Sequence, residues 1–362
     1  MKFVECPNDY ILQEDLEFIA NSNIPFESFT NSTILITGAT GLIGSQIIKA
    51  LLCINRLKKL NIKILALARS ESKVNELFDG LLNRDNLTFL YGDIVDPLII
   101  NEDIDYIIHG ASITSSKFFI ENPVETINIS LGGTLNILKL ANEKKIRGMV
   151  YLSSMEVYGI TNPKLEFVKE GDLGFIDILD VRSSYSEGKR MAECLCASYV
   201  SEYNVPVKIA RLSQTFGAGI SSTENRVFAQ FAKSVINKKD IILHTEGNSV
   251  GNYCYTRDAI IALLILLIKG KSGEAYTISN ESSATKIRDM AFMVADEIAR
   301  GSINVKFDIP KNKKTLGYAP DVTMYLSSMK IQELGWKPEV GLKESYLRMI
   351  ESMKNSNDEV KE

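Results

Sequence analysis

Residues 33–44, Thr-Ile-Leu-Ile-Thr-Gly-Ala-Thr-Gly-Leu-Ile-Gly, constrain this chain more than any other stretch. A short run of β-branched and apolar residues enters a turn with glycines at 38, 41 and 44. A long apolar helical pattern opens at Leu42. The first glycine permits a tight turn, the second lets a pyrophosphate approach the backbone, and the third lets the helix pack on the strand. Free N–H groups at a helix start attract phosphate. Strand, turn and helix in this order mark a dinucleotide site, with Gly38, Thr40, Gly41, Leu42, Ile43 and Gly44 around the pyrophosphate.

Apolar strands are expected at 62–68, 87–91, 106–109, 148–153 and 207–212, with helices at 42–57, 124–143 and 185–203. Such alternation implies parallel pairing through crossover connections. Strands apolar on both faces imply a sheet covered on both sides. The expected fold is α/β: a doubly wound parallel-sheet Rossmann fold with a smaller C-terminal α/β substrate lobe. Residues 1–32 form an N-terminal helical extension in this reading, with a short amphipathic helix at 9–20. The NAD(P)-binding domain takes 33–212 and 252–280, and the substrate-binding lobe takes 213–251 and 281–355. Residues 356–362 are expected to fray.

Composition narrows the partners. The 362 residues carry a net charge of −4, so no basic surplus exists for nucleic acid. The longest apolar run, 259–268, is too short to cross a membrane and is expected as a buried helix. The N-terminus is acidic and lacks the apolar core of a secretory signal. Five cysteines show neither a disulfide framework nor zinc spacing, which points to a reducing cytoplasm and to no metal. Cys194 and Cys196 are expected on different helix faces.

Tyr185-Ser-Glu-Gly-Lys189 places a phenol and an ammonium one helical turn apart, on one face. A nearby lysine and a nicotinamide cation should pull the phenol down from its ordinary pKa near 10. The phenol can then take a hydroxyl proton or return it. At the end of an upstream strand lies Tyr151-Leu-Ser-Ser-Met-Glu-Val-Tyr-Gly159. The second strand ends Ala68-Arg69-Ser70, with no acid in position to bond a ribose 2′-hydroxyl. Arg69 and Ser70 suit a 2′-phosphate, so NADP is preferred here over NAD.

Together these motifs resemble the extended short-chain dehydrogenase/reductase family, the NAD-dependent epimerase/dehydratase group, from residue 33 to about 345. The stretch ends with Leu334-Gly-Trp-Lys-Pro338. The resemblance implies that Ser154 bonds the reacting oxygen beside Tyr185 and Lys189. It implies that Asp93 and Ile94 contact the adenine, that Gly110, Ala111 and Ser112 border the cofactor, and that Asn128 braces a neighbouring strand. It also implies a homodimer through the helices at 124–143 and 185–203.

Within the family, the motif Arg182-Ser-Ser-Tyr-Ser-Glu-Gly-Lys-Arg190 and the context of Glu156 are similar to UDP-glucuronate decarboxylases. Glu156 is thereby implied as catalytic, and Arg226 as near the sugar. Met155 stands where dehydratases of the family carry an aspartate, which disfavours 4,6-dehydration. Gln214 takes the slot of a phosphate-holding asparagine. Gly251 takes that of a diphosphate-binding arginine, leaving Arg226, Lys233 or Arg257 to supply the charge. Asp258 is expected to cap the helix after it.

The leading expectation is an NADPH-dependent reduction of a keto group on a nucleotide-activated sugar, such as a CDP-linked ketose for surface polysaccharide precursors. The alternative is a decarboxylase or 4-epimerase that recycles NAD internally. A non-catalytic NAD(P)-binding sensor or scaffold is the reading from another class.

Overall fold

The computed structural model describes residues 4–309 and 322–358. Its strands are β1 (Thr33–Thr37), β2 (Lys63–Ala68), β3 (Leu87–Tyr91), β4 (Tyr106–His109), β5 (Gly148–Ser154) and β6 (Val207–Leu212). These are followed by β7 (Gln214–Phe216), β8 (Ile241–Leu243), β9 (Val250–Tyr255), β10 (Ala275–Ile278), β11 (Asn280–Lys286) and β12 (Val305–Phe307). The helices are α1 (Tyr10–Asn21), α2 (Leu42–Lys58), α3 (Glu71–Phe78), α4 (Ser116–Glu121), α5 (Pro123–Asn128) and α6 (Thr134–Lys144). They continue as α7 (Ser183–Tyr203), α8 (Val227–Ile236), α9 (Thr256–Lys269), α10 (Ile287–Met293), α11 (Met329–Gln332) and α12 (Leu342–Asp358).

Seven parallel strands form the main sheet in the order β10-β6-β5-β4-β1-β2-β3. Successive residues of a strand serve opposite faces. Ile34 and Ile36 therefore join the core under α1, α2 and α9, while Leu35 joins the core under α6 and α7. The chain order reverses at β1, which pairs with both β2 and β4. A doubly wound sheet opens its ligand crevice at that reversal, beyond the carboxyl ends of the strands. A third core, centred on Phe216, Phe228, Tyr253, Met290 and Tyr346, fills a second lobe. There β7, β9 and β11 form one small sheet and β8 pairs with β12.

The expected helix over 124–143 is broken. The turn Ile129–Gly133 is a π-helix between α5 and α6, a local widening that lets a helix adjust its packing. Gly133 lies so close to Ile94 that a Cβ there would sit 2.8 Å from Ile94 Cγ2. Asn128 is exposed at the end of α5. Asn136 supplies a brace, donating to the Ile94 and Asp96 carbonyls at 3.0 and 3.1 Å. The seventh strand, β10, had no counterpart in the sequence reading, which placed 252–280 in the domain without assigning it a strand. The tail expected to fray from 356 is helical through Asp358, and 359–362 lie outside the described residues. No helix among the described residues is long and apolar enough to cross a membrane.

The N-terminal extension ties the lobes together. Leu12, Leu16, Ile19 and Ala20 of α1 are buried against the main core. Asp15 accepts from the Tyr255 hydroxyl at 2.6 Å and from Arg348 of α12 at 2.8 Å. Burial pushes the Asp15 carboxyl up to about 6 against these partners. Arg257 stacks on Phe18 at 3.8 Å and pairs with Asp15 and Asp258. It is therefore spent on the scaffold, not on a substrate charge. Asp258 lies inside α9, not ahead of it. Its carboxylate accepts from the Glu339 and Val340 amides at 2.7 and 2.8 Å, pinning the C-terminal segment to the sheet.

Candidate active site

The glycine turn builds the first wall. Gly38 has φ +72°, and a Cβ on it would lie 2.7 Å from the Gly110 carbonyl oxygen. That is the left-handed region where only glycine is at ease. A Cβ on Gly44 would lie 2.2 Å from the Gly38 oxygen, so α2 is seated directly on the turn. Gly41 is the N-cap of α2 and offers no side-chain cap, and no acid occupies the first turn. The uncapped N–H groups and the positive end of the helix dipole suit phosphate.

A cleft of about 230 Å³ opens over this turn. Its walls include Gly38, Thr40, Gly41, Arg69, Asp93, Ile94, Gly110, Ala111 and Ser112, all foreseen from sequence, and also Lys73, which was not. Leu42 packs in the second-lobe core and Ile43 against the main core, so only their backbones can serve a ligand. Ser70 does not line the cleft. Its hydroxyl caps α3, accepting from the Lys73 amide at 3.3 Å. Arg69 pairs with Asp93 at 3.6 Å across the rim. The dinucleotide's phosphates and adenosine therefore fit the residues present.

Beneath the cleft lies a polar chain. The Ala111 amide donates to Thr37 Oγ1 at 3.1 Å, Thr37 Oγ1 bonds His109 Nδ1 at 2.7 Å, and His109 Nε2 bonds Thr134 Oγ1 at 3.2 Å. Burial, and then the Lys189 ammonium, push the His109 imidazole down to about 3. The ring is thus neutral and structural, holding the β4 end that borders the cofactor cleft.

Tyr185, Lys189, Ser154 and Glu156 converge at the β5 end. Tyr185 is buried and stacks on Phe119, with centroids 4.3 Å apart and planes 8° from parallel. The Ser154 hydroxyl acts on the phenol so as to favour its ionised form, and accepts from the Glu156 amide at 3.2 Å. Lys189 Nζ donates to the Leu152 carbonyl at 2.8 Å and lies 5.9 Å from the Tyr185 ring centre. Burial pushes the phenol up to about 12, and Glu156 pushes the same way, against the Ser154 hydroxyl and the Arg226 and Arg182 charges. Desolvation thus sets the phenol's rise, and the charges that oppose it are those of Arg226 and Arg182 rather than the expected Lys189. Burial also lowers the Lys189 ammonium to about 8.

Glu156 is gripped rather than free. Arg182 reaches its two oxygens at 3.1 and 3.0 Å, and Ser186 donates at 3.1 Å. Arg226 heads α8, pairs with Glu224 at 2.8 Å and lies 4.9 Å from the Phe228 ring. Lys233 donates to the Glu224 carbonyl at 2.6 Å. Gln214 starts β7, opposite Tyr253 of β9. A Cβ on Gly251 would meet nothing within 4 Å. The aromatic backing of Tyr185 by Phe119 was missed from sequence, because α4 is one short turn-and-a-half with no periodicity to read.

A glycine cradle at the sheet's reversal, beside a Ser/Tyr/Lys cluster at the next strand end, defines a dinucleotide-dependent enzyme of the short-chain dehydrogenase/reductase type. The model of the NAD dependent epimerase/dehydratase family matches residues 34–279, and the chain belongs to that family. It is 30% identical over 347 residues to UDP-glucuronic acid decarboxylase 5 of Arabidopsis thaliana, covering 90% of each chain. Among solved structures it resembles UDP-glucose 4-epimerase of Thermotoga maritima with UDP-glucose, at TM-score 0.75 and 21% identity, over 90% of this chain and 99% of that one. It also resembles dTDP-glucose 4,6-dehydratase of Bacillus anthracis in complex with NAD, at TM-score 0.73 and 20% identity, over 90% and 98%. At such identities the two structures establish the shared fold.

Proposed function

We propose that the protein acts on a nucleotide-linked uronic acid, oxidising a ring hydroxyl, releasing the carboxylate as CO2 and restoring the hydroxyl. One observation carries this reading: Glu156, in the motif similar to the decarboxylases, stands at the Tyr185 site and is held there by Arg182 at 3.0 Å and Ser186 at 3.1 Å. The name of the Arabidopsis relative agrees. Gly38, Thr40 and Gly41 hold the dinucleotide's phosphates, and Gly110 to Ser112 border its nicotinamide half. When bound, the dinucleotide supplies a hydride acceptor and, later, a hydride donor.

Ser154 holds the reacting oxygen. Tyr185 takes the hydroxyl proton and returns it, so its starting pKa of about 12 must fall on binding. The nicotinamide cation and the adjacent Lys189 ammonium supply that fall. A keto group one carbon from the carboxylate-bearing carbon lets the C–C bond break with its electrons delocalised into the carbonyl, and a proton from solvent then adds to that carbon before the keto group is reduced. Gln214 and Arg226 are proposed to contact the substrate.

The test is CO2 release from UDP-glucuronate by protein loaded with NAD, followed with the reduced-nicotinamide absorbance. Expected are CO2 and a pentose nucleotide with no net reduced cofactor. Tyr185→Phe is expected to abolish turnover and spare dinucleotide binding; retained turnover rejects the proton relay. A 4-epimerase shows sugar interconversion without CO2.

Arg69 and Lys73 at the cleft rim favour a second reading, net NADPH-dependent reduction of a keto sugar. Stoichiometric NADPH loss with a CDP- or UDP-linked ketose identifies it. Residues 124–143 and 185–203 are proposed to form a dimer interface, supported by the exposed side chains of Val124, Ile127 and Met191. Sedimentation of the purified protein decides it.

A further inference from the structure

Three consecutive residues of β5 meet three residues of α7. The Leu152 carbonyl accepts from Lys189 at 2.8 Å, the Ser153 hydroxyl donates to Glu193 Oε1 at 2.5 Å, and the Ser154 hydroxyl acts on the Tyr185 phenol, favouring its ionised form. Tyr185, Lys189 and Glu193 are spaced by four residues, so they share one helix face. The outer two contacts belong to the site already described. The middle one does not.

We propose that Glu193 is a positioning residue that fixes the register of α7 on β5 and keeps the Lys189 ammonium charged beside Tyr185. The inference rests on the roles given to Tyr185 and Lys189 above.

Glu193 is held too tightly to be a chance neighbour. Arg211 stands opposite Ser153 on β6, donating through Nε to Oε1 at 3.0 Å and through Nη2 to Oε2 at 2.7 Å. The third Arg211 nitrogen donates to the Glu170 carbonyl at 2.7 Å. Its guanidinium also lies 5.0 Å from the Tyr158 ring centre, and the Tyr158 hydroxyl bonds Thr277 Oγ1 at 2.5 Å. One buried pair thereby joins α7, β5, β6, β10 and the segment that follows the Glu156 turn. A fully bonded carboxylate in a dry interior is fixed in place, and its field is weakly screened.

Lys189 needs such a field. It is buried, and burial lowers its pKa. Around it stand the Tyr151 ring of β5 at 4.8 Å, His109 of β4, and Tyr185, Glu193 and Cys196 of α7. Burial keeps His109 uncharged and raises the Tyr151, Tyr185 and Cys196 groups, so these remain neutral near pH 7. Glu193 is the carboxylate of the set, and it leads the influences that oppose the burial of Lys189.

The test follows the Lys189 Nζ resonance against pH in lysine-labelled, dinucleotide-loaded protein, with Lys189→Met to assign it. Glu193→Gln is expected to lower the titration midpoint by about one pH unit or more. At pH above both midpoints, on the alkaline limb of its profile, turnover per bound dinucleotide is expected to fall roughly tenfold for each unit by which the midpoint drops. Because Glu193→Gln leaves Arg211 unpaired, the double variant Glu193→Leu/Arg211→Met removes both charges, and replacement of whole buried pairs is often tolerated. It is expected to lower the midpoint too, but by less than Glu193→Gln, because a positive charge leaves with the carboxylate. Glu193→Asp is expected to recover most of the drop. An unchanged Lys189 midpoint in either charge-removing variant overturns the proposal. Failure of the reading beneath it looks different: Tyr185→Phe then keeps turnover, whatever Lys189 does.

Discussion

Phe119 and Tyr185 lie face to face, their ring centres 4.3 Å apart and their planes within 8° of parallel. The Ser184 hydroxyl also donates to the Phe119 carbonyl at 3.3 Å, which ties α4 to the first turn of α7. The stack holds the phenol's plane while its oxygen faces Ser154. Aromatic pairs contribute about 1 kcal/mol beyond area burial. Phe119→Leu keeps the bulk and removes the flat face. It is expected to cost roughly tenfold in kcat with little change in dinucleotide Kd. A kcat within twofold of the parent assigns Phe119 to packing alone.

The cofactor rim offers a second test. Arg69 is paired with Asp93, and Lys73 is an added cation of the same cleft. A 2′-phosphate draws on both charges, whereas a 2′-hydroxyl draws on neither. Arg69→Ala and Lys73→Ala are each expected to weaken NADP binding by about tenfold, the scale of a charge-assisted bond. NAD binding should change less than twofold. Equal losses for the two dinucleotides, measured by calorimetry, contradict the 2′-phosphate assignment.

Gly251 sits in open space on β9, at the place where the family resemblance leads one to expect an arginine. A Cβ at this position meets no neighbour within 4 Å, and a strand interior favours a side chain over glycine. Gly251→Arg is expected to fold normally and to lower the KM for a UDP-sugar roughly tenfold. An unchanged KM in a folded variant places the diphosphate elsewhere.

His109 makes an acid-side prediction. Its folded pKa of about 3 lies below the ordinary 6.5. Between those values the unfolded chain binds more protons, so stability is full above about pH 6.5 and is lost as pH falls toward 3. The loss attributable to this residue is on the order of 5 kcal/mol at the acid end. Asp15, raised to about 6, acts with the opposite sign over pH 4–6. The informative quantity is therefore the difference between parent and His109→Gln. Urea unfolding is expected to show that difference shrinking steadily as pH falls from 7 to 4. A pH-independent difference contradicts the buried neutral imidazole.

Much of this molecule was legible along the chain. The strand–glycine–helix run at 33–44 and the alternation to Leu212 follow from local chemistry: β-branched runs, periodic apolar faces, and turns that exclude a Cβ. Tyr185 and Lys189 share a helix face by spacing alone. These features depend on neighbours a few residues away, and a sequence displays such neighbours directly.

Tertiary structure decided what long-range contacts determine. Burial, not the nearby lysine, sets the Tyr185 phenol, and no spacing rule reports how much water a fold removes. Arg257 looked available to a substrate until α1 packed on it, and Asp258 looked like a cap until the C-terminal segment reached its carboxylate. Glu193 and Arg211 lie 18 residues apart in sequence and meet only because α7 crosses back over parallel strands. Periodicity predicts elements; desolvation and the partners of buried charges exist only once those elements are packed together.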